Sequence, residues 1–280
     1  MLEGAISGKG RLLVNADDFG MHPDIDRGIF ECVERGRVHS VSFAATGRTV
    51  DWNKLQELIR HGVRVGLHVV LVGESWASDG RLVRDWKEMV KQLLFLGRGM
   101  KDAIADEIRR QFKLCSENGI DPRTLSHVDS HQHVHVLNGV WQPCFRLAQE
   151  YGIPRIRVPW CPSLRVIRKN PGGIALQLIA RRRMVEVSGF LACIGLAHAG
   201  HNTAAILSKE LDHAAHASQL DLELVAHPGI NTPDLMSRYA GWHFDWNSER
   251  EALLSAQFAE AVSANGFALV RPARSSPVPK

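Results

Sequence analysis

Apolar and polar positions along the chain follow two periods that alternate from one end to the other. Residues 11–15 (Arg-Leu-Leu-Val-Asn) form a short apolar run that predicts a buried strand, and Ala16-Asp17-Asp18-Phe19-Gly20 ends it in a polar turn. Residues 23–36 then carry Ile25, Ile29, Cys32 and Val33 at helical spacing and stop at a glycine. The same pairing recurs. Strands are predicted at 38–45 and 63–71, with a helix at 51–61 buried through Trp52, Leu55, Leu58 and Ile59. Residues 72–99 read as an irregular excursion, after which Asp102 is expected to cap a helix that buries Ile104, Ile108, Phe112 and Cys115 and stops at Gly119.

A histidine-rich stretch, residues 125–135, reads as the next strand. A helix at 140–151 and a fifth strand at 155–159 follow. Residues 160–203 carry the weakest pattern: an apolar helix over 172–185 ending in Arg181-Arg182-Arg183, then a small, apolar run at 189–199. Further on come a helix at 203–217, a buried strand at 222–226 ending in His227-Pro228-Gly229, and a capping box, Ser248-Glu249-Arg250-Glu251. The box opens a last helix to 265, and a closing strand is expected at 267–270.

Strands alternating with helices, with no linker and no internal repeat, predict one domain over 1–280 with tails at 1–10 and 272–280, built on a mostly parallel sheet. Asp17 and Asp18, His68, the cluster around His131, Arg157 and His227 all fall at the C-terminal ends of different predicted strands. Only a closed or nearly closed ring brings that many strand ends to one point. The expected architecture is therefore α/β, a distorted (β/α) barrel of seven or eight mostly parallel strands.

Composition narrows the class. The chain has 45% hydrophobic and 23% charged residues, and no uninterrupted apolar run of the length a spanning helix needs. Its first ten residues lack a basic region followed by an apolar one, so a cytoplasmic protein is expected. The five cysteines are odd in number and scattered, which argues against a disulfide framework or a thiolate zinc site. A net charge of +4 without aromatic–basic interleaving excludes nucleic acid as the expected partner. Residues 151–185, however, hold eight arginines and lysines and no acid.

On a strand of period two, His127, Asp129, His131, His133 and His135 share one face, and imidazole with carboxylate is the donor set of zinc and similar ions. A single strand supplies one or two ligands at most, so the others must come from elsewhere.

Asn15-Ala16-Asp17-Asp18-Phe19-Gly20, Gly66-Leu67-His68, the His127-to-His133 motif and Ala226-His227-Pro228 together resemble the YdjC-like carbohydrate deacetylase family, in the right order over nearly the whole chain. The resemblance implies a distorted barrel and one divalent metal held by Asp18, His68 and His131. Zn²⁺ suits that set, with Mg²⁺ next and Mn²⁺ or Co²⁺ as alternatives. It also implies removal of acetyl from an N-acetylated sugar, in an oligosaccharide or in a glycolipid such as a glycosylated hopanoid. The residues themselves agree with this allocation. Adjacent carboxylates on an extended chain cannot both face one ion, so one binds it while its neighbour serves as general base; with Asp18 the ligand that the resemblance implies, Asp17 is assigned as the base. His227 suits the general acid, and Arg157 is similar to the arginine of related deacetylases that orients the base. Asp129 is expected behind a ligand histidine, with His133 or His135 as alternative ligands if the strand runs further, and His127 as a core histidine. Among Trp76, Trp86, Trp160, Trp242 and Trp246, one or two are expected to stack on a sugar. Contact with a membrane surface through 165–185, and a homodimer, are further expectations. A phosphoesterase on the same donor set and a non-catalytic sugar-binding protein are the rival readings.

Overall fold

The structure, a computed structural model, describes residues 10–162, 171–187, 189–219 and 221–270. The expected tails, apart from Gly10, and residues 165–170 of the basic segment lie outside the described residues. Strands β1 (Gly10–Phe19), β2 (Ser40–Phe43), β3 (Arg64–Val69), β4 (Val128–Ser130), β5 (Ala192–Ile194) and β6 (Asp221–Ala226) lie in the order β4-β3-β2-β1-β6-β5, and β7 (Phe267–Leu269) adds to β1. All of these pairings are parallel.

Residues 155–160 join the two outer strands. Arg157 N–H donates to the Val128 carbonyl at 2.9 Å and Val128 N–H to that of Arg155 at 3.0 Å, while on the far side Cys193 N–H donates to Trp160 O at 2.7 Å. The fifth predicted strand is therefore present as an irregular seam. Pro154 and Pro159 bracket it and supply no backbone donor, which keeps a regular ladder from forming. The ring so closed is a distorted (β/α) barrel.

Helices cover its outside: α1 (Pro23–Glu34), α2 (Trp52–Arg60), α3 (Trp86–Phe95), α4 (Gly97–Glu117), α5 (Trp141–Glu150), α6 (Pro171–Met184), α7 (Ala204–His216), α8 (Pro233–Arg238), α9 (Trp246–Leu254) and α10 (Ala256–Ala264). Each of α2, α3 and α7 opens where a side chain accepts a first-turn N–H: Asp51, Asp85 and Thr203. Strand β1 is buried throughout except at Arg11, because the barrel interior lies on one side and helices on the other.

Four predicted boundaries move. The excursion at 72–99 contains α3, and α4 starts at Gly97 instead of being capped by Asp102, which lies inside it. The last helix is two, with Asp245 capping α9 and Ser255 capping α10. Ser248 does not cap, since it is already the third residue of α9 and donates its N–H to the Asp245 side chain. β5 emerges from the weak 189–199 run as three small or apolar residues, too short to show a period. The histidine strand ends at Ser130, and His131–Val136 coil into a 3₁₀ turn in which Gln132 and His133 take φ of 52° and 55°.

Candidate active site

The site begins with a bulge. Ala16 pairs with Val41 and Phe19 with Phe43, so β1 carries one residue more than β2 over that interval. Asp18 absorbs it at φ +71°, in the left-handed region that aspartate tolerates better than most side chains. The alternation that would have sent one carboxylate outward is thereby undone, and both Asp17 and Asp18 are buried.

Asp18 Oδ1 lies 3.0 Å from His131 Nδ1 and 3.2 Å from His68 Nε2. Burial opposes its charge, yet the two imidazoles hold it well below the usual carboxylate range. His68 comes from β3 and His131 from the first position after β4, so three strand ends meet here. On its other side His68 Nδ1 lies 2.8 Å from Asp129 Oδ1, a contact that fixes the ring and leaves Nε2 for the centre. Against burial, Asp129 and Asp18 raise His68 to about 10.

Arg157, fully buried, is the hub behind these groups. Its Nη1 and Nη2 donate to Asp17 Oδ2 and Oδ1 at 2.7 and 2.9 Å, Nη1 stands 2.5 Å from Asp129 Oδ2, and Nε donates to Glu223 Oε1 at 2.9 Å. Asn15 Nδ2 adds a 2.7 Å bond to Asp17. Burial pushes the Asp17 carboxyl up, but Arg157 outweighs it and holds Asp17 below its ordinary value. Such a carboxylate is ionised at neutral pH.

The remaining histidines of the stretch are placed otherwise: His133 and His135 lie within the 3₁₀ turn, and His127 precedes β4. His135 Nδ1 meets Ser130 Oγ at 2.7 Å and Nε2 donates to Arg157 O at 2.8 Å, so both ring nitrogens are used and burial lowers it to about 4. His127 lies between Ser42 Oγ and Ser126 Oγ, both at 2.8 Å, and burial brings it to about 3. His133 is off the centre and joins neither of the donor groupings found among the described residues. The period-two reading of 125–135 thus fails after Ser130.

Asp18, His68 and His131 each offer a ligand atom within 4.8 Å of the others. Asp18 Oδ2, His68 Nε2 and His131 Nε2 are buried with no hydrogen-bond partner, as expected of donors shaped to hold a cation. The residues fit a divalent ion. Asp17, His68 and Asp129 are also close together, but Arg157 already occupies both carboxylates, so a second cation there would face a guanidinium.

The sequence matches the YdjC-like protein family over residues 11–264. The chain belongs to the YdjC-like family. Among its relatives, the carbohydrate deacetylase of Homo sapiens is 31% identical over 254 residues, 78% of this chain and 75% of its own length. The chitooligosaccharide deacetylase of Escherichia fergusonii is 26% identical over 264 residues, 92% of this chain and 96% of its own. The crystal structure of an Enterococcus faecalis protein named for cellobiose-phosphate cleavage superposes with a TM-score of 0.66 at 19% identity, covering 94% of this chain and 97% of its own, which shows a shared fold.

In this YdjC-like chain Ala226 pairs with Ala16, so His227 follows β6 beside the carboxylate pair. Glu249 of α9 holds it. One oxygen accepts His227 N–H at 2.5 Å and lies 3.6 Å from Nδ1, while the other accepts Gly200 N–H at 2.6 Å and Asn202 Nδ2 at 2.9 Å. Burial opposes a charged ring, but Glu249 and the two aspartates raise His227 to about 9. Sequence reasoning placed Glu249 in a cap and passed over Ser42 and Glu223. Glu223 did leave a signal, as the one acid inside the apolar run 222–226.

The mouth is a cavity of about 480 Å³ lined by Arg48, Gly73, Arg84, Gln132, Arg238 and Trp242, among others. Trp242 lies over His131 with ring centres 4.5 Å apart. Of the five loop tryptophans, one or two of which are expected to stack on a sugar, it alone lines this cavity. Trp76 is buried and bonded to Leu71 O, Trp246 is buried, Trp86 opens α3 and Trp160 packs against Phe190.

Proposed function

We propose that this chain is a hydrolase that removes the acetyl group from an N-acetylated sugar with the help of one divalent metal ion. The observation that supports it best is a pair of opposite protonation states at one barrel mouth. Asp17 is kept ionised by Arg157, and His227 is kept protonated by Glu249, both beside the Asp18–His68–His131 donors. Relatives named for carbohydrate and chitooligosaccharide deacetylation supply the substrate class.

In this reading Asp18, His68 and His131 hold the ion. When bound, it supplies a Lewis acid for the acetamide carbonyl and lowers the pKa of water. Asp17 accepts the proton of the attacking water, with Arg157 and Asn15 fixing its orientation. His227 gives its proton to the amine as the C–N bond breaks, so acetate and the free amino sugar leave. Trp242 offers an aromatic face to the sugar at the entrance. A nitrogen-rich donor set favours Zn²⁺ over Mg²⁺. The single clear donor triad favours amide hydrolysis over a two-metal phosphoesterase. The sugar is N-acetylglucosamine, carried on an oligosaccharide or on a glycolipid such as a glycosylated hopanoid.

The test is acetate release from chitobiose and from an N-acetylglucosaminyl lipid by zinc-loaded protein, beside Asp17→Asn. The variant is expected to lose about 10²- to 10⁴-fold in kcat while binding one equivalent of metal as before. Undiminished release by Asp17→Asn, or none from either substrate by the wild type, overturns the reading.

A further inference from the structure

Large exposed apolar side chains are not scattered over the described surface. Of nine, five stand between residues 82 and 96, among them Leu94 (76% exposed), Phe95 (84%) and Leu96 (58%). Three more lie on α6 or just past it: Ile174, Leu178 (60%) and Val185 (87%). The two segments are neighbours, since Leu93 and Leu94 of α3 and Ile179 and Arg182 of α6 line one groove of about 250 Å³. Helix α6 turns Gln177 and Ala180 into the protein, where Gln177 bonds Cys161 N–H and Pro159 O, while apolar Ile174 and Leu178 face out. A surface helix normally shows a polar outer face, and an apolar one marks a contact.

The rim of this patch is basic. Lys87 and Lys91 share a cavity with Phe95 and Leu96, and Arg181 and Arg182 are exposed at the end of α6. The nearest acid on α3, Glu88, is held by Arg84 at 2.9 Å. Arg183 is engaged otherwise: it bonds Val136 O, Asn138 and Glu186 and packs over Trp141, so it belongs to the fold and not to the rim. The patch also runs into the mouth of the site, because Arg84 and Asp85 line both the cavity beside Phe95 and the one beside Trp242.

We infer that this face docks on an anionic lipid surface, with Leu94-Phe95-Leu96 and the outer side of α6 entering the headgroup region and the lysines and arginines meeting lipid charge. Apolar anchors ringed by Lys and Arg are the composition that lies in such an interface. A second copy of the chain is the poorer occupant, since a twofold contact would press two basic rims together. Docking here sets the mouth beside the membrane. The inference rests on this surface and does not require the deacetylase reading.

It is tested by co-sedimentation of the full chain with phosphatidylglycerol-containing and with pure phosphatidylcholine vesicles, beside Leu94→Glu/Phe95→Glu. Both positions are solvent-exposed, so the double variant is expected to keep the wild-type melting temperature and its activity on soluble substrate. Wild type should sediment with the anionic vesicles only, less so as salt rises, and the variant should bind at least about tenfold more weakly. No sedimentation of wild type, equal binding to neutral vesicles, or wild-type binding by the variant each overturns it. So does a wild-type dimer, seen by velocity sedimentation, that dissociates in the variant. Vesicle binding without acetate release would leave docking standing and remove the catalytic reading alone.

Discussion

Glu249→Gln separates a proton-donor role for His227 from a structural one. The carboxylate lies 3.6 Å from His227 Nδ1. At an effective dielectric constant of about 20, two unit charges at that separation attract by about 4.6 kcal/mol, an upper limit worth about three pKa units. His227 stands at about 9 with burial already opposing its charge, so removing Glu249's charge should lower it by about one to three units. On the proposed mechanism the acid form is the active one, so the alkaline limb of the kcat profile should move down by that amount. Near pH 8 the variant should lose about two- to a hundredfold across that range of shifts, whereas near pH 6 it should stay within about twofold.

Glutamine also has a single acceptor oxygen where Glu249 takes N–H groups from Gly200, His227 and Asn202, which should destabilise the fold by about 1–3 kcal/mol. Thermal melting reports that loss, and the rate near pH 6 serves as the internal reference. A limb that does not move, with the rate lowered equally at every pH, would show that Glu249 only builds the loop and that His227 is not the acid.

Two further expectations concern stability. A Cβ on Gly66 would sit 2.3 Å from His127 Cε1, in a ring pinned between two serines, so Gly66→Ala should destabilise by about 1–3 kcal/mol and lower Tm by several degrees in a melt; an unchanged Tm would mean that the His127 ring can yield. In urea titrations of the metal-free chain, stability should peak near pH 6.5. Below that pH the unfolded chain protonates histidines that His127 and His135, at about 3 and about 4, keep neutral when folded, so each removes about 1.4 kcal/mol per unit as pH falls. Above it the folded chain holds protons on His68 and His227 that the unfolded one releases, and that stability is lost as pH rises toward 9 and 10. A flat profile would refute these environments.

What the sequence shows is what period and residue type can carry. The buried runs at 11–15, 63–71 and 222–226 announce β1, β3 and β6, and the polar residues at their ends point to one barrel face. Period alone does not show where a strand stops, because that depends on backbone φ. His133 and His135 leave the face of His131 only because Gln132 and His133 turn left-handed, and Asp17 and Asp18 come to one side only because Asp18 does the same. Nor does it show pairing across the ring: Glu249 reads as part of a helix start until α9 is placed against the loop that carries His227. β5 is invisible for a different reason, since three residues cannot display a period of two.

The charges at the barrel centre argue together for the proposed ion. Asp17, Asp18, Asp129, Glu223 and Glu249 bring five negative charges, and Arg155 and Arg157 return two, so three remain without counting histidine. Nothing in a buried site tolerates such an excess, and the metal-free chain answers it with protons on His68 and His227. The two protons have different fates once a dication is present. His68 carries its extra proton on Nε2, the atom 3.2 Å from Asp18 and unbonded otherwise, so ligation requires that proton to leave. His227 has its own carboxylate in Glu249 and can keep its charge. Arg157 acts on both sides of this balance, because the guanidinium that holds Asp17 ionised, as the proposed base requires, also occupies Asp129 and so would confine the proposed cation to Asp18, His68 and His131. One buried arginine thereby supports two distinct carboxylates in a site whose proposed ligands, base and acid come from four different strand ends.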